Sequence, residues 1–218
     1  MPLYKTIMHD ADTQIYIWKI TEGEAELKEE INMQEKHLKR YENMLSESHR
    51  KGFLSVRKLL QSAGYTDFDL NYDLNGKPSL ADGKYISITH SFEFSAIIIS
   101  TKNVGIDIEK QRKKITRIAD KFIGSEFDYL DKDTNYIENL SIVWGAKESL
   151  YKMCNSRSLS FKQNMHVQEF NHLHKAGNAS VDCKELNFNQ KFQFYFESFD
   201  GYTMVYALEE ISSLREPQ

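Results

Sequence analysis

Apolar and polar residues alternate over residues 14–20 (QIYIWKI), the two-residue period of a strand with one face buried. Beyond it the period lengthens. Leu27, Ile31, Leu38, Tyr41 and Leu45 recur at helical spacing and predict one helix, and Phe53, Val56, Leu59, Leu60 and Ala63 predict a second that stops at Gly64. Within residues 69–78 (DLNYDLNGKP), Asn75-Gly76 signals a turn and Pro78 blocks any continuing helix. Three short strands follow, at 85–89, 94–100 and 104–109, with residues 101–103 as a hairpin loop between the last two. From Ile115 the pattern is helical through Ile118, Ala119, Phe122 and Ile123, with a stop and a new N-cap at Gly124-Ser125. A further helix spans 136–154, and strands at 192–199 and 202–208 form a hairpin across Asp200-Gly201. Helices alternate with antiparallel hairpins along the whole chain, so the fold class is α+β, with no low-complexity linker or short-period repeat.

Composition narrows the class of function. The 218 residues are 40% hydrophobic and 12% aromatic, enough for a packed core. Lys plus Arg number 28 against 32 Asp plus Glu, and a net charge of -4 argues against a nucleic-acid partner. The segment 28–58 nevertheless carries eight basic and five acidic residues, leaving room for a local basic patch. The two cysteines, Cys154 and Cys183, lack any zinc-type spacing and read as free thiols in a reducing compartment. No apolar leader or membrane-length stretch occurs, so the expected location is cytoplasmic, with no membrane partner.

Candidate chemistry begins at residues 105–109 (GIDIE). On a strand the carboxylates of Asp107 and Glu109 share one face while Ile106 and Ile108 take the other. A hard cation between two such acids relieves their repulsion; the alternative is a strand end whose acids are simply solvated. In the helix 136–154, Lys147 falls in a gap of the apolar stripe Ile137, Leu140, Val143, Trp144, Leu150, Tyr151 and Cys154. Its ammonium must meet an anion there or reach outward, and with no anion Lys147→Met would be neutral or stabilising. Glu148 and Lys152 stand four apart, either as a solvated helix pair or as a third acid and a phosphate contact beside the strand acids. His90, ending the hydroxyl-rich run ISITHS, and Lys77, after the Asn75-Gly76 turn, are phosphate donors or ordinary structural residues.

In order and spacing, GKP (76–78), ISITHS (86–91), GIDIE (105–109) and WGAKESLYK (144–152) resemble the motif series of the 4′-phosphopantetheinyl transferases, and most closely the longer, surfactin-synthetase-activating type. The resemblance implies a pseudo-duplicated α+β fold. It would have two similar halves, 1–101 and 102–218, each with an antiparallel sheet packed on helices, and an active site in the cleft between them. It further implies a monomer that moves the phosphopantetheine arm of coenzyme A to a serine of an apo acyl or peptidyl carrier protein, in fatty-acid, polyketide or nonribosomal-peptide synthesis. Asp107, Glu109 and Glu148 would hold Mg²⁺. Lys147 and Lys152 would contact the phosphates or pantetheine arm, His90 and Lys77 would lie near the 3′-phosphate and adenosine, and Lys36, Lys39 and Arg50 are candidates for further basic contacts. Phe122 and Glu126 represent the family's F-x-x-x-E element, although Glu126 also suits a helix start. Thr89 stands where serine is more common and keeps the hydroxyl, and Ile88 and Phe92 around that motif are further departures with no reading attached. The serine hydroxyl would attack the β-phosphorus, with Glu148 as first candidate for the base, then Glu126, or a metal-bound water. The rivals are a metal-dependent phosphodiesterase or nucleotidyltransferase, for which the same acids and lysines serve, and a non-catalytic coenzyme A or carrier-binding protein.

Overall fold

The computed structural model describes residues 3–155, 158–184 and 187–209. The extreme ends of the two expected halves, 1–2 and 210–218, lie outside the described residues. In chain order the elements are β1 (Leu3–Met8), β2 (Thr13–Lys19), α1 (Glu24–Lys28), α2 (Glu35–Glu42), α3 (Glu47–Ser62), β3 (Leu70–Tyr72), β4 (Pro78–Leu80), β5 (Tyr85–Ser91), β6 (Phe94–Ser100) and β7 (Val104–Lys110). There follow α4 (Ala119–Phe122), α5 (Tyr136–Cys154), α6 (Phe161–Asn164), β8 (Met165–Val167), β9 (Ala176–Cys183), β10 (Phe188–Phe199) and β11 (Tyr202–Glu209).

The fold is α+β with two antiparallel sheets, ordered β1-β2-β6-β5-β4-β3 and β7-β11-β10-β9-β8. Strand alternation gives each sheet two apolar faces, and the two sheets stack on one of them. Ile15, Ile17, Phe94, Ala96 and Ile98 of the first sheet meet Val104, Ile106, Ile108, Met204 and Tyr206 of the second. The outer faces are covered by the two long helices. Leu54, Val56, Leu59 and Leu60 of α3 pack on Ile86, Ile97 and Ile99, while Leu140, Val143, Ala146 and Leu150 of α5 pack on Phe192, Phe194, Val205 and Ala207. The result is helix, sheet, sheet, helix, with the same sheet-plus-helix unit in each half.

Three expectations are corrected. Residues 101–103 do not close a hairpin, because β7 pairs with β11, from Val104 opposite Leu208 to Lys110 opposite Tyr202, and so begins the second sheet. The single helix through Leu27 and Leu45 is two, α1 and α2, parted where Glu30 takes φ 61. The carbonyls freed at that break find donors on α3, with Lys58 Nζ on Glu29 O at 2.6 Å and Gln61 Nε2 on Glu30 O at 2.9 Å. The helix expected from Ile115 is a 3-10 turn (Lys113–Arg117) followed by the four-residue α4. By contrast Gly64 follows α3 with φ 83, and Asp200 and Gly201 take φ 49 and 75, the I′ form of a two-residue hairpin.

The depth at which α5 sits is set by two glycines. A Cβ on Gly105 would lie 2.1 Å from the Ser149 carbonyl oxygen, and one on Gly145 would lie 2.7 Å from Val205 Cγ2. Ser149 Oγ then reaches Val205 O at 3.1 Å, tying the helix to β11. Gly105→Ala is expected to cost about 1–3 kcal/mol by forcing the helix outward, read as a lower urea midpoint at unchanged slope. A variant as stable as the parent would mean that α5 does not depend on this contact.

Candidate active site

Because β7 alternates, Val104, Ile106 and Ile108 enter the core between the sheets and Gly105, Asp107 and Glu109 face the α5 side. The close seat of α5 on Gly105 brings Glu148 and Lys152 over the two acids. Lys152 Nζ donates to Ile106 O at 2.6 Å and to Asp107 Oδ1 at 3.0 Å. From the first sheet, β5 presents a hydroxyl at every second residue. Ser87 Oγ accepts from Ile106 N at 3.1 Å, and Thr89 Oγ1 accepts from Ile108 N at 3.2 Å while donating to Asp107 Oδ1 at 3.2 Å. Ser91 Oγ donates to Glu109 Oε2 at 3.5 Å. Side-chain hydroxyls thus take the place of a backbone ladder between β5 and β7, and Thr89 fixes the Asp107 carboxylate.

The three acids are electrostatically coupled. Burial, then the negative charges of Asp107 and Glu109, push the Glu148 carboxyl up to about 7, against the opposing pull of Lys152. Burial and Asp107 likewise raise Glu109, although Arg112 Nη2 stands 3.7 Å from its Oε1. Among the described residues no three His, Cys, Asp or Glu side chains form a ready cluster for a metal ion. The donor chemistry still fits a hard divalent cation: three carboxylates face chiefly one ammonium, and oxygen ligands are what such a cation takes.

Beside the acids opens a cleft of about 320 Å³ lined by Arg40, Tyr72, Lys77, Ile88, Tyr151 and Lys152. It adjoins a second hollow that shares Arg40, Tyr72 and Ile88 and adds His49, Arg57 and His90. The His90 ring rests on α3, where a Cβ on Gly52 would meet its Cδ2 at 2.6 Å, and desolvation, His49 and Lys152 hold its pKa down. Lys77 lines the cleft but spends two donors elsewhere, on Met153 O at the end of α5 at 2.9 Å and on Asn103 Oδ1 just before β7 at 3.1 Å, and burial lowers its pKa. The N-terminal basic residues fall differently from expectation. Lys39 pairs with Glu35 on the exposed face of α2, Lys36 reaches Asn71 at 3.4 Å, and Arg50 is engaged by Glu24 and by Met44 O. The cation of α2 that reaches the cleft is Arg40, whose guanidinium lies 5.4 Å from the Tyr72 ring centroid and 5.9 Å from that of Phe53. Its signal in the sequence was the face it shares with His37 and Met44, three and four residues away, legible only once α2 is separated from α1.

Lys147 and Glu126 are brought together with each other, not into the cleft. Both side chains are 0% exposed, and Lys147 Nζ lies 2.6 Å from Glu126 Oε1. The ammonium also donates to Phe122 O at 2.7 Å and Phe161 O at 3.0 Å, which accounts for all three of its hydrogens. Glu126 accepts further from Gly124 N at 2.7 Å and Val167 N at 3.0 Å. The anion that the gap in the stripe of α5 demanded is Glu126, leaving Lys147 no donor for a phosphate and Glu126 no room to act as base.

Residues 103–207 match the family model of the 4′-phosphopantetheinyl transferase superfamily, a span that holds β7, α5 and every acid of the site. No curated protein matches the chain.

Two outcomes follow from the burial of charge. Lys147→Met strands the Glu126 carboxylate and is expected to destabilise the fold by about 3–5 kcal/mol, reversing the gain expected for a lysine without an anion; denaturant unfolding measures it, and an unchanged midpoint would show the pair to be dispensable. A raised carboxyl pKa means that the folded state keeps a proton the unfolded chain has lost, so Glu148 subtracts stability as pH rises from about 4.5 to about 7. With chelator present, Glu148→Gln should melt higher than the parent at pH 8, with the difference closing toward pH 5. A difference constant with pH would place Glu148 in water.

Proposed function

We propose that this protein is a Mg²⁺-dependent 4′-phosphopantetheinyl transferase of the two-half, surfactin-synthetase-activating type, with halves at 1–101 and 102–218 acting as a monomer. It would transfer the phosphopantetheine arm of coenzyme A to a serine of an apo acyl or peptidyl carrier protein. The observation that carries the reading is the set of three mutually repelling carboxylates beside a cleft with a cationic lining, at the segment that matches the superfamily.

Asp107, Glu109 and Glu148 would hold the cation, which when bound neutralises charge on the pyrophosphate as its bond breaks. The remaining work belongs to the chain. Arg40, His90 and Lys77 line the two hollows where the 3′-phosphate and adenosine would lie. Lys152 uses two of its three donors on Ile106 O and Asp107, and the third serves a phosphate oxygen. The serine oxygen attacks the β-phosphorus, the bond to the bridging oxygen breaks, and 3′,5′-adenosine bisphosphate leaves with the electron pair. A carboxylate must take the serine proton. Glu148, as a ligand of the cation, would take that proton through an intervening water, whereas Glu126 is sealed against Lys147.

Incubation with coenzyme A, Mg²⁺ and an apo carrier, read by the mass of the carrier, should show one added phosphopantetheine arm. Release of adenosine bisphosphate with an unchanged carrier would instead favour a phosphodiesterase. Asp107→Ala is expected to fold and to lower the transfer rate by about a hundredfold or more, the scale of a lost electrostatic contact in the transition state. Near-normal turnover in that folded variant would sink the metal reading.

A further inference from the structure

Arg57, which lines the second hollow, belongs to a buried network with Asp67 and His37. Asp67, in the 3-10 turn Asp67–Asp69 ahead of β3, has a side chain 0% exposed, with that of Arg57 at 2% and that of His37 at 4%. Its Oδ1 accepts from Arg57 Nε of α3 at 2.9 Å, and its Oδ2 accepts from His37 Nδ1 of α2 and from Gln34 N, at the start of α2, each at 2.8 Å. A carboxylate can only accept, so the His37 hydrogen sits on Nδ1. One carboxylate joins α2, α3 and the chain entering β3. As a stabilising device the network is poor. His37 Nε2 and Arg57 Nη2 are buried with no hydrogen-bond partner among the described residues, and apolar packing of the same volume would hold a fold as well or better. What such a network fixes is relative position.

The position at stake is that of Arg40. It stands one turn beyond His37 on α2, has an exposed side chain, and leans on two rings, with its guanidinium 5.4 Å from the Tyr72 centroid and 5.9 Å from that of Phe53. Each ring is held by a member of the network. The His37 ring meets Tyr72 edge-on at 5.6 Å between centroids, and the Arg57 guanidinium lies 3.4 Å from the Phe53 centroid. Two guanidinium groups share the Phe53 ring, and Asp67 neutralises the buried one, which leaves the exposed one to present its charge to the cleft. An eight-residue helix is marginal by itself, so α2 takes its place from such ties. We infer that His37, Asp67 and Arg57 are positioning residues for phosphate binding: they set where the Arg40 guanidinium stands, and with it the affinity for coenzyme A. The inference rests on the transferase reading, which puts coenzyme A in the hollows that Arg40 lines.

The test is calorimetric titration of the full chain with coenzyme A and Mg²⁺, for the parent, His37→Leu, His37→Asn, Arg40→Ala and His37→Leu combined with Arg40→Ala, with urea midpoints measured alongside. His37→Leu removes one donor to Asp67, which keeps Arg57 and Gln34 N, so the variant should fold. His37→Asn also loses the ring but places an amide N–H where Nδ1 stood. Both should lower the midpoint. His37→Leu should weaken binding by about tenfold, the size of one misplaced charge-assisted contact, and His37→Asn by no more than about twofold. Arg40→Ala should cost about tenfold or more, and adding His37→Leu to it should cost nothing further, since the group being positioned is gone. Arg57→Lys keeps the charge beside Asp67 but loses the flat face on Phe53; it should weaken binding as His37→Leu does, and it answers the same question if that variant does not fold. Parent affinity in His37→Leu or Arg57→Lys, equal losses in His37→Leu and His37→Asn, or a full further loss on the Arg40→Ala background would overturn the positioning role and leave the transferase reading standing. If the parent itself binds no coenzyme A, the transferase reading fails and the role assigned to Arg40 goes with it.

Discussion

Everything at the acid site depends on how closely α5 approaches β7. Helix and strand touch backbone to side-chain-free backbone at Gly105, and at Gly145 the helix leaves room for Val205. With an ordinary residue at either position the helix would stand off, and Glu148 and Lys152 would no longer overlie Asp107 and Glu109. The glycines that flank the charged residues in GIDIE and WGAKE therefore set a distance. They carry no chemistry themselves, but the electrostatic coupling of the carboxylates exists only at the separation they permit.

The second half buries charge in two contrasting ways. At Lys147 and Glu126 every hydrogen and lone pair that matters is matched, tying α5 to the chain after α4 and to β8 with no solvent contact. At Asp107, Glu109 and Glu148 the matching is incomplete, and burial first, then the neighbouring acids, raise the pKa of Glu109 and Glu148. Satisfied charge behaves as architecture, and unsatisfied negative charge as a place that a cation would stabilise. Two lysines five residues apart on one helix, Lys147 and Lys152, fall on opposite sides of that division.

Much of this was legible from the residues. Where burial is one-sided the period is clean, so β2, β6, β7, α5 and the last hairpin were read correctly, and the two-residue period alone put Asp107 and Glu109 on one face. The missed elements lack that signal. β1 is an edge strand with mostly exposed side chains, β3, β4 and β8 have three residues each, and β9 (AGNASVDC) is built from small and polar residues. The break between α1 and α2 was invisible because its freed carbonyls are satisfied by Lys58 and Gln61, distant in sequence. The partner of Lys147 was hidden for the same reason: spacing shows that an anion is needed and cannot say that it stands 21 positions earlier, at Glu126.

The seam between the sheets is made by the hydroxyls of Ser87, Thr89 and Ser91 and not by a ladder of main-chain bonds. A main-chain ladder is indifferent to sequence and can change only by slipping register, which would turn every side chain of the strand to the wrong face. A seam held by side chains can be altered one position at a time. The relative placement of the two sheets, and with it the shape of the space between the acids and the cationic cleft, is therefore open to adjustment by single substitutions in β5 that leave both sheets intact. Inheritance can tune the joint without rebuilding either part it joins.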